Sequence, residues 1–316
     1  MTASSPSHGS APGSQMARTE AGTTPEAAVP TELPGAQWPV GVVGSGTMGA
    51  GIAEVAARAG CSVIVLDISE HVLDGARERI SHSLQRAESK GALAEPMSDI
   101  LHRIRWTTER VDLAGVRVAV EAVRESLPDK QEVFHSLEGV VGEDVILASN
   151  TSSIPIAQLG AVVQRPGRLL GMHFFNPVPA MPLVEIVPSL LSAEETVQQA
   201  TTFVTEVLGK DAVRAKDQAG FLVNALLVPY LLSAIRALQN GLGTREEIDA
   251  GMVGGCGMPL GPLALCDLIG LDVLLQVGDS LYAEHREPSY VSPPMLRRLV
   301  DAGHLGRKSG SGFFSY

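Results

Sequence analysis

Hydrophobic residues are distributed in two ways along this chain. Up to about residue 216 they come as short runs rich in β-branched side chains, at 40–43, 62–66, 116–120 and 144–149. Continuous apolar runs of that length fit strands buried on both faces of a parallel sheet. A helical pattern follows the first run at once, and 69–101 reads as one long helix. Strands alternating with helices predict an α/β layer fold. From about Lys216 the spacing becomes helical throughout. Asn224, Leu227, Val228, Leu231, Ile235 and Leu238 fall on one face. Pro229 is expected to kink that helix or disturb its early turns, and Gly241 to end it. Further helices are predicted over 244–253 and 261–281, with Gly257-Met258-Pro259-Leu260-Gly261-Pro262 between them.

The first strand runs straight into Gly44-Ser45-Gly46-Thr47-Met48-Gly49, a G-x-G-x-x-G turn that opens a helix. Each glycine has a separate job. Gly44 allows the tight turn, Gly46 lets the backbone approach a pyrophosphate, and Gly49 lets helix and strand pack closely. The helix N-terminus then faces the phosphates. Asp67 closes the second strand 23 positions after Gly44, where a carboxylate holds the adenosine ribose hydroxyls. Ile68 follows it, and no Arg stands nearby to receive a 2′-phosphate, so NAD is expected rather than NADP. The fold class is therefore an α/β Rossmann-like N-terminal domain over 38–216, followed by an all-α C-terminal domain over 217–316. Ligands of such sheets lie at the carboxyl ends of the strands. Strand order thus places Glu121, Ser126, Asn150 and Ser152 at the crevice. The run Asn150-Thr151-Ser152-Ser153 also reads as a helix N-cap.

Charge and composition narrow the function class. The 316 residues carry 24 Lys and Arg against 35 Asp and Glu, a net charge of −11, which argues against non-specific binding to nucleic acid or an anionic membrane. No apolar stretch is long enough to span a bilayer. The three cysteines, Cys61, Cys256 and Cys266, form neither a CxxC nor a disulfide framework, and a reducing cytoplasmic setting is expected. The histidines lack ligand spacing, so no metal site is predicted. Residues 1–37, rich in Ser, Pro, Gly, Thr and Ala, are expected to form a flexible tail without the features of a secretory signal.

Three polar features stand out against this background. His173 and Glu185 lie in 170–187, among Phe, Pro, Val, Leu and Ile. A buried unpaired carboxylate costs several kcal/mol, so the two either satisfy each other or serve a site. Asn224 is the one polar member of the helical stripe; it either ties helices together or faces a ligand. Ser83 and Lys90 are seven apart, two helical turns, and share a face that could grip a phosphorylated or extended ligand.

The stretches GSGTMGAGIA, VEAVRES, ASNTSS, GMHFFNPVPAMPLVEIV, GFLVNALLVPYLLSAIR, GMPLGPLALCDLIGLD and GRKSGSGFFSY together resemble the short-chain L-3-hydroxyacyl-CoA dehydrogenases, especially bacterial 3-hydroxybutyryl-CoA dehydrogenases. The likeness covers about 39–316. It implies NAD-dependent oxidation of an (S)-3-hydroxyacyl-CoA, or the reverse, in a homodimer formed through the helical domain. It also implies roles. His173 matches the general base and Glu185 the residue that orients it. Ser152 matches a serine that contacts the substrate hydroxyl and the cofactor, and Asn224 an asparagine that completes the site. Ser83 and Lys90 align with contacts to the coenzyme A nucleotide. Glu121, Ser126, Asn176 and Lys308 align with cofactor-binding positions. Many relatives carry Arg where this chain has Ala225, which bears on interdomain or acyl-group contacts rather than the chemistry. Two further readings share the fold: a dehydrogenase acting on an acyl-carrier-protein thioester in polyketide extender-unit supply, and a non-catalytic NAD-binding protein. A dehydrogenase of the 6-phosphogluconate or hydroxyisobutyrate type would rely on a helical lysine, and HFFNPVP followed by Glu argues against it.

Overall fold

The computed structural model describes residues 35–316. Within them β1 (Val40–Val43), β2 (Val63–Leu66), β3 (Ile104–Thr107), β4 (Val118–Glu121), β5 (Ile146–Ser149), β6 (Leu169–Phe174), β7 (Leu183–Val187) and β8 (Asp211–Arg214) form one sheet. Its order is β3-β2-β1-β4-β5-β6-β7-β8, and every neighbouring pair is parallel except β6 and β7. The first six strands have the order of a doubly wound dinucleotide fold, so the crevice opens where β1 and β4 diverge.

Side chains leave successive strand positions on opposite faces, and both faces are covered. Val40, Val42, Ile146 and Ala148 pack with α1 (Thr47–Arg58) and α2 (Glu70–Ser89) in one core, which also takes in α3 (Met97–His102) and α6 (Glu194–Thr202). Val43, Ala119 and Leu147 pack with α4 (Leu127–Glu138) and α5 (Ile156–Gly160) in the other. A third core joins α7 (Val223–Gln239), α9 (Pro262–Ile269), α10 (Leu271–His285) and α11 (Pro294–Asp301). The helix α8 (Arg245–Cys256) buries no residue of its own.

Several expectations need adjusting. The segment 69–101 is two helices, because Gly91 takes a φ of +63° and turns the chain after Lys90. The predicted 261–281 helix is likewise divided by Gly270 at φ +104°. Helix α7, by contrast, runs unbroken through Pro229. An interior proline costs about 3 kcal/mol. Burying Val228, Leu231 and Ile235 offsets that by roughly 4–9 kcal/mol, so the packed face wins. The expected tail lies outside the described residues except for its last three. Gly35–Gln37 form a turn in which the Gly35 amide donates to the Ala59 carbonyl at 2.9 Å.

The segment linking sheet and helices is not a free linker. Asp217 accepts from the amides of Ile156 and Ala157 at 2.6 and 2.8 Å, so it caps α5. Ala219 donates to Glu284 on α10 at 2.8 Å. Phe221, at φ +48°, is buried in the second core of the sheet. The helical part is thereby pinned to the carboxyl edge of the strands.

Candidate active site

The glycine turn has the shape a dinucleotide needs. A Cβ on Gly44 would lie 2.7 Å from the Ala122 carbonyl oxygen, and one on Gly49 would strike the Gly44 carbonyl. Those two glycines are required by close packing of β1, β4 and α1. A Cβ on Gly46 would meet nothing within 4 Å, so this side of the turn is open to a ligand. Gly46 caps α1 without any side-chain partner, leaving the amides of that first turn to a phosphate. Asp67 ends β2 as expected. Its Oδ2 accepts from the amide and hydroxyl of Ser45 at 2.6 and 2.7 Å, and Arg79 donates to the Ser45 carbonyl at 2.7 Å. Ser45 is thus fully buried as a brace between the turn and the Asp67 carboxylate. Thr47 and Met48 begin α1.

His173 and Glu185 meet because β6 and β7 are antiparallel in a register that sets them directly opposite one another. Opposed residues share a face, and the His173 Nδ1 lies 2.6 Å from Glu185 Oε2. Glu185 is fully buried and His173 nearly so, with the imidazole against the rings of Phe175 and Phe221. The other carboxylate oxygen, Oε1, accepts from the amides of Leu222 and Val223 at 3.0 and 2.8 Å. These are the first amides of α7, and Asn224 is the next residue. One carboxylate therefore orients the imidazole and anchors the helix that carries Asn224. The turn between the strands is held by Lys210, whose ammonium donates to the carbonyls of Val178 and Met181 at 2.9 and 2.6 Å. Burial pushes that lysine below its usual range. Among the described residues no partner is found for His173 Nε2 or for Ser152 Oγ, so both are free to engage a ligand.

The remaining candidates divide. Glu121 is completely buried. Its Oε1 accepts from Lys130 Nζ and the Val123 amide, both at 2.7 Å, and its Oε2 from Ser149 Oγ at 2.6 Å. With both oxygens engaged, its carboxylate is not available to a cofactor, and its expected contact is corrected to a structural one. Asn150 is similarly committed, its Oδ1 accepting from the Phe174 amide at 2.9 Å. Ser126 precedes α4 at the carboxyl edge, half-buried. Lys308 pairs with Asp272 of α10 at 2.6 Å and is not brought to the glycine turn. A cleft of about 240 Å³ opens between α1, α2 and the turn after β6, lined among others by Thr47, Glu54, Ser83, Arg86 and Asn176. Lys90 is not part of this lining. It stands exposed beyond the end of α2, where Arg86, one turn earlier, faces the cleft with Ser83.

Three charged groups escaped the sequence reading. Glu54 is buried in α1 beside that cleft, its Oε1 without a hydrogen-bond partner and its carboxyl raised above the ordinary value by burial. Glu125 and Lys130 lie under the Ser152 turn. Glu54 and Lys130 sit in helices whose sequence shows ordinary polar positions, and Glu125 sits in a loop. No periodicity marks Glu54 or Lys130 as buried.

Comparison with known proteins adds to this geometry. The family "3-hydroxyacyl-CoA dehydrogenase, NAD binding domain" matches residues 39–218, and "3-hydroxyacyl-CoA dehydrogenase, C-terminal domain" matches 220–316. The chain is 49% identical over 279 residues to a 3-hydroxybutyryl-CoA dehydrogenase of Mycobacterium tuberculosis, covering 88% of this chain and 98% of that one. Among solved structures it is similar to M. tuberculosis FadB2, with a TM-score of 0.87, 48% identity, and coverage of 88% and 98%. It is also similar to the (S)-3-hydroxybutyryl-CoA dehydrogenase PaaH1 of Ralstonia eutropha, with a TM-score of 0.83, 42% identity and the same coverage.

Proposed function

This chain belongs to the 3-hydroxyacyl-CoA dehydrogenase family and is an NAD-dependent oxidoreductase, and from that premise we propose that it interconverts (S)-3-hydroxybutyryl-CoA and acetoacetyl-CoA with His173 as its base. NAD supplies the hydride acceptor. His173 Nε2 takes the proton of the 3-hydroxyl while the C3–H bond breaks and its hydride leaves, so that C3 becomes a ketone. Glu185 accepts from Nδ1, which keeps Nε2 unprotonated beforehand and stabilises the imidazolium afterwards. Ser152 hydrogen-bonds the hydroxyl and the cofactor, and the Asn224 amide completes the pocket. In the reductive direction the same proton returns from His173 to the forming alcohol.

The observation that carries this reading is the 2.6 Å pairing of His173 with a carboxylate that also holds the start of α7. Coenzyme A is the carrier we favour, because Arg79 and Arg86 stand at the cleft between α1 and α2 and suit phosphate groups. The test is NADH formation from 3-hydroxyacyl-CoA thioesters of several chain lengths, set beside a carrier-protein thioester. Fastest turnover of the four-carbon coenzyme A substrate is the expected result. Preference for the carrier protein would transfer the activity to the other carrier, and a protein that binds NAD but turns over nothing would be non-catalytic.

A second copy of the chain is the partner we propose for the helical part. Leu226 and Leu242 are 70% and 81% exposed there, and α8 has no buried residue. Sedimentation should report a homodimer. No helix among the described residues is long and apolar enough to cross a membrane, and the three cysteines are unpaired. We place the enzyme in the cytoplasm, which fractionation would check.

A further inference from the structure

Thr47, Ala50, Gly51 and Glu54 recur at helical spacing and put one face of α1 on the cleft it shares with α2. The small residues in the middle of that face let the turn after β6 close against the helix. A Cβ on Gly51 would lie 2.8 Å from the Val178 Cβ. Glu54, one turn further on, is shut in at 2% exposure and still lines the cleft. Its Oε1 finds no hydrogen-bond partner among the described residues. Arg58, four residues on, comes no nearer than 3.6 Å, and its other terminal nitrogen donates to the Ala92 carbonyl at 3.1 Å. Burial raises the Glu54 carboxyl above its ordinary value, and the nearby Ser83 hydroxyl with the Arg58 and Arg86 charges only partly offsets that.

An acceptor buried without a donor costs stability, more so when it is ionised. Oε1 holds no backbone amide and caps no helix, so the fold does not account for it. Its position on the cleft does. A carboxylate on the α1 wall repels a phosphate and attracts an N–H donor. Arg79 and Arg86 on the α2 wall do the reverse. The two walls together fit a ligand that carries phosphate and, beside it, an uncharged N–H group. Coenzyme A offers that group in two places: the amino group of its adenine and the amides of its pantetheine arm.

We propose that Glu54 is a specificity-determining contact for the carrier of the thioester: its free Oε1 accepts from a neutral N–H group of the ligand, so the cleft reads that donor as well as the phosphate. This rests on the reading that the carrier of the thioester occupies the cleft. It also explains why a side chain that weakens the fold stands at this position, since the bound ligand supplies the partner that the protein lacks.

Two variants of the whole chain test the contact by calorimetric titration with coenzyme A and with NADH, with thermal unfolding recorded alongside. Glu54→Met fills similar space and removes the acceptor. Its affinity for coenzyme A should fall about tenfold, while NADH affinity stays within about twofold and the melting temperature does not drop. Glu54→Gln keeps one acceptor oxygen and should lose about threefold or less. Adenosine 3′,5′-bisphosphate and phosphopantetheine then locate the donor, because the fragment whose binding weakens in Glu54→Met carries it. Coenzyme A bound equally well by wild type and Glu54→Met overturns the proposal and leaves the choice of carrier standing. Joint loss of coenzyme A affinity, NADH affinity and melting temperature also overturns it, since Glu54 would then serve the fold. If the wild type binds phosphopantetheine but not coenzyme A, the coenzyme A reading fails, and weaker phosphopantetheine binding in Glu54→Met still upholds the contact. A wild type that binds none of the three probes overturns both.

Discussion

Replacing Glu185 by glutamine changes one atom and forces a choice on the site. The carboxylate now accepts on both oxygens, from His173 Nδ1 at 2.6 Å and from the amides of Leu222 and Val223 at 3.0 and 2.8 Å. Glutamine brings one acceptor and one NH₂ group. With its oxygen toward His173, the NH₂ group faces two backbone donors at the start of α7. Each orphaned buried donor costs about 1–3 kcal/mol, so this arrangement loses roughly 2–6 kcal/mol. With its oxygen toward the helix, the NH₂ group faces Nδ1, and the imidazole proton must move to Nε2. That arrangement leaves every group paired, so the variant should adopt it. The fold then survives and the base is lost, because Nε2 can no longer accept the hydroxyl proton. Turnover should fall about 10²–10⁴-fold, equivalent to roughly 3–5 kcal/mol in the barrier, with NADH binding intact and the melting temperature within a few degrees of wild type. Steady-state NADH formation, NADH fluorescence titration and thermal unfolding measure the three quantities. A variant that loses several degrees of stability yet keeps turnover within threefold of wild type would refute the reasoning, since Glu185 would then hold only the helix.

Three other outcomes are expected. Asp67→Ala should weaken NAD binding and narrow the discrimination against NADP, because the carboxylate at the ribose is removed; equal discrimination before and after would show that selectivity lies elsewhere. Arg86→Ala should raise the KM for acetoacetyl-CoA about tenfold through loss of a charge-assisted phosphate contact, with Lys90→Ala milder because Lys90 stands outside the cleft; the reverse order in steady-state kinetics would restore Lys90. Glu54 has a folded-state pKa raised above its ordinary value by burial, so its own contribution to stability is fully present below the unfolded value and is lost as pH rises through the folded value. Glu54→Gln should therefore be more stable than wild type near pH 7.5, by on the order of 1 kcal/mol, with the gain closing toward pH 4.5; a constant difference across that range in denaturant titrations would count against it.

The nucleotide half of the fold was legible because its signals are local. Val40–Val43, the three glycines and Asp67 lie within one βαβ unit, and each has a conformational or packing reason visible in the sequence. The pairing of His173 with Glu185 could be posed as a question from burial, and the register of β6 and β7 answers it. The second use of Glu185 was not readable, because its partners are backbone amides 37 and 38 residues away. Glu121 misled for a related reason. Strand order puts it at the crevice, and only the position of Lys130 nine residues later shows that its side chain turns inward. Lys90 closes α2 as its C-cap and lies outside the lining of the cleft that Ser83 and Arg86 face, a placement that helical spacing alone does not show.

A carboxylate with two addresses also works as an interlock. The imidazole is aligned only while Oε1 of Glu185 finds the first amides of α7 in place, and those amides are in place only while Phe221 is seated in the core of the sheet and Asp217 and Ala219 keep their partners. Under the role proposed for His173, slippage of the helical third of the molecule would take the imidazole out of alignment, and damage along that joint would be expected to lower turnover. A molecule part-way through folding, with its sheet complete and its last hundred or so residues undocked, would keep its glycine turn and leave Glu185 without its second set of partners.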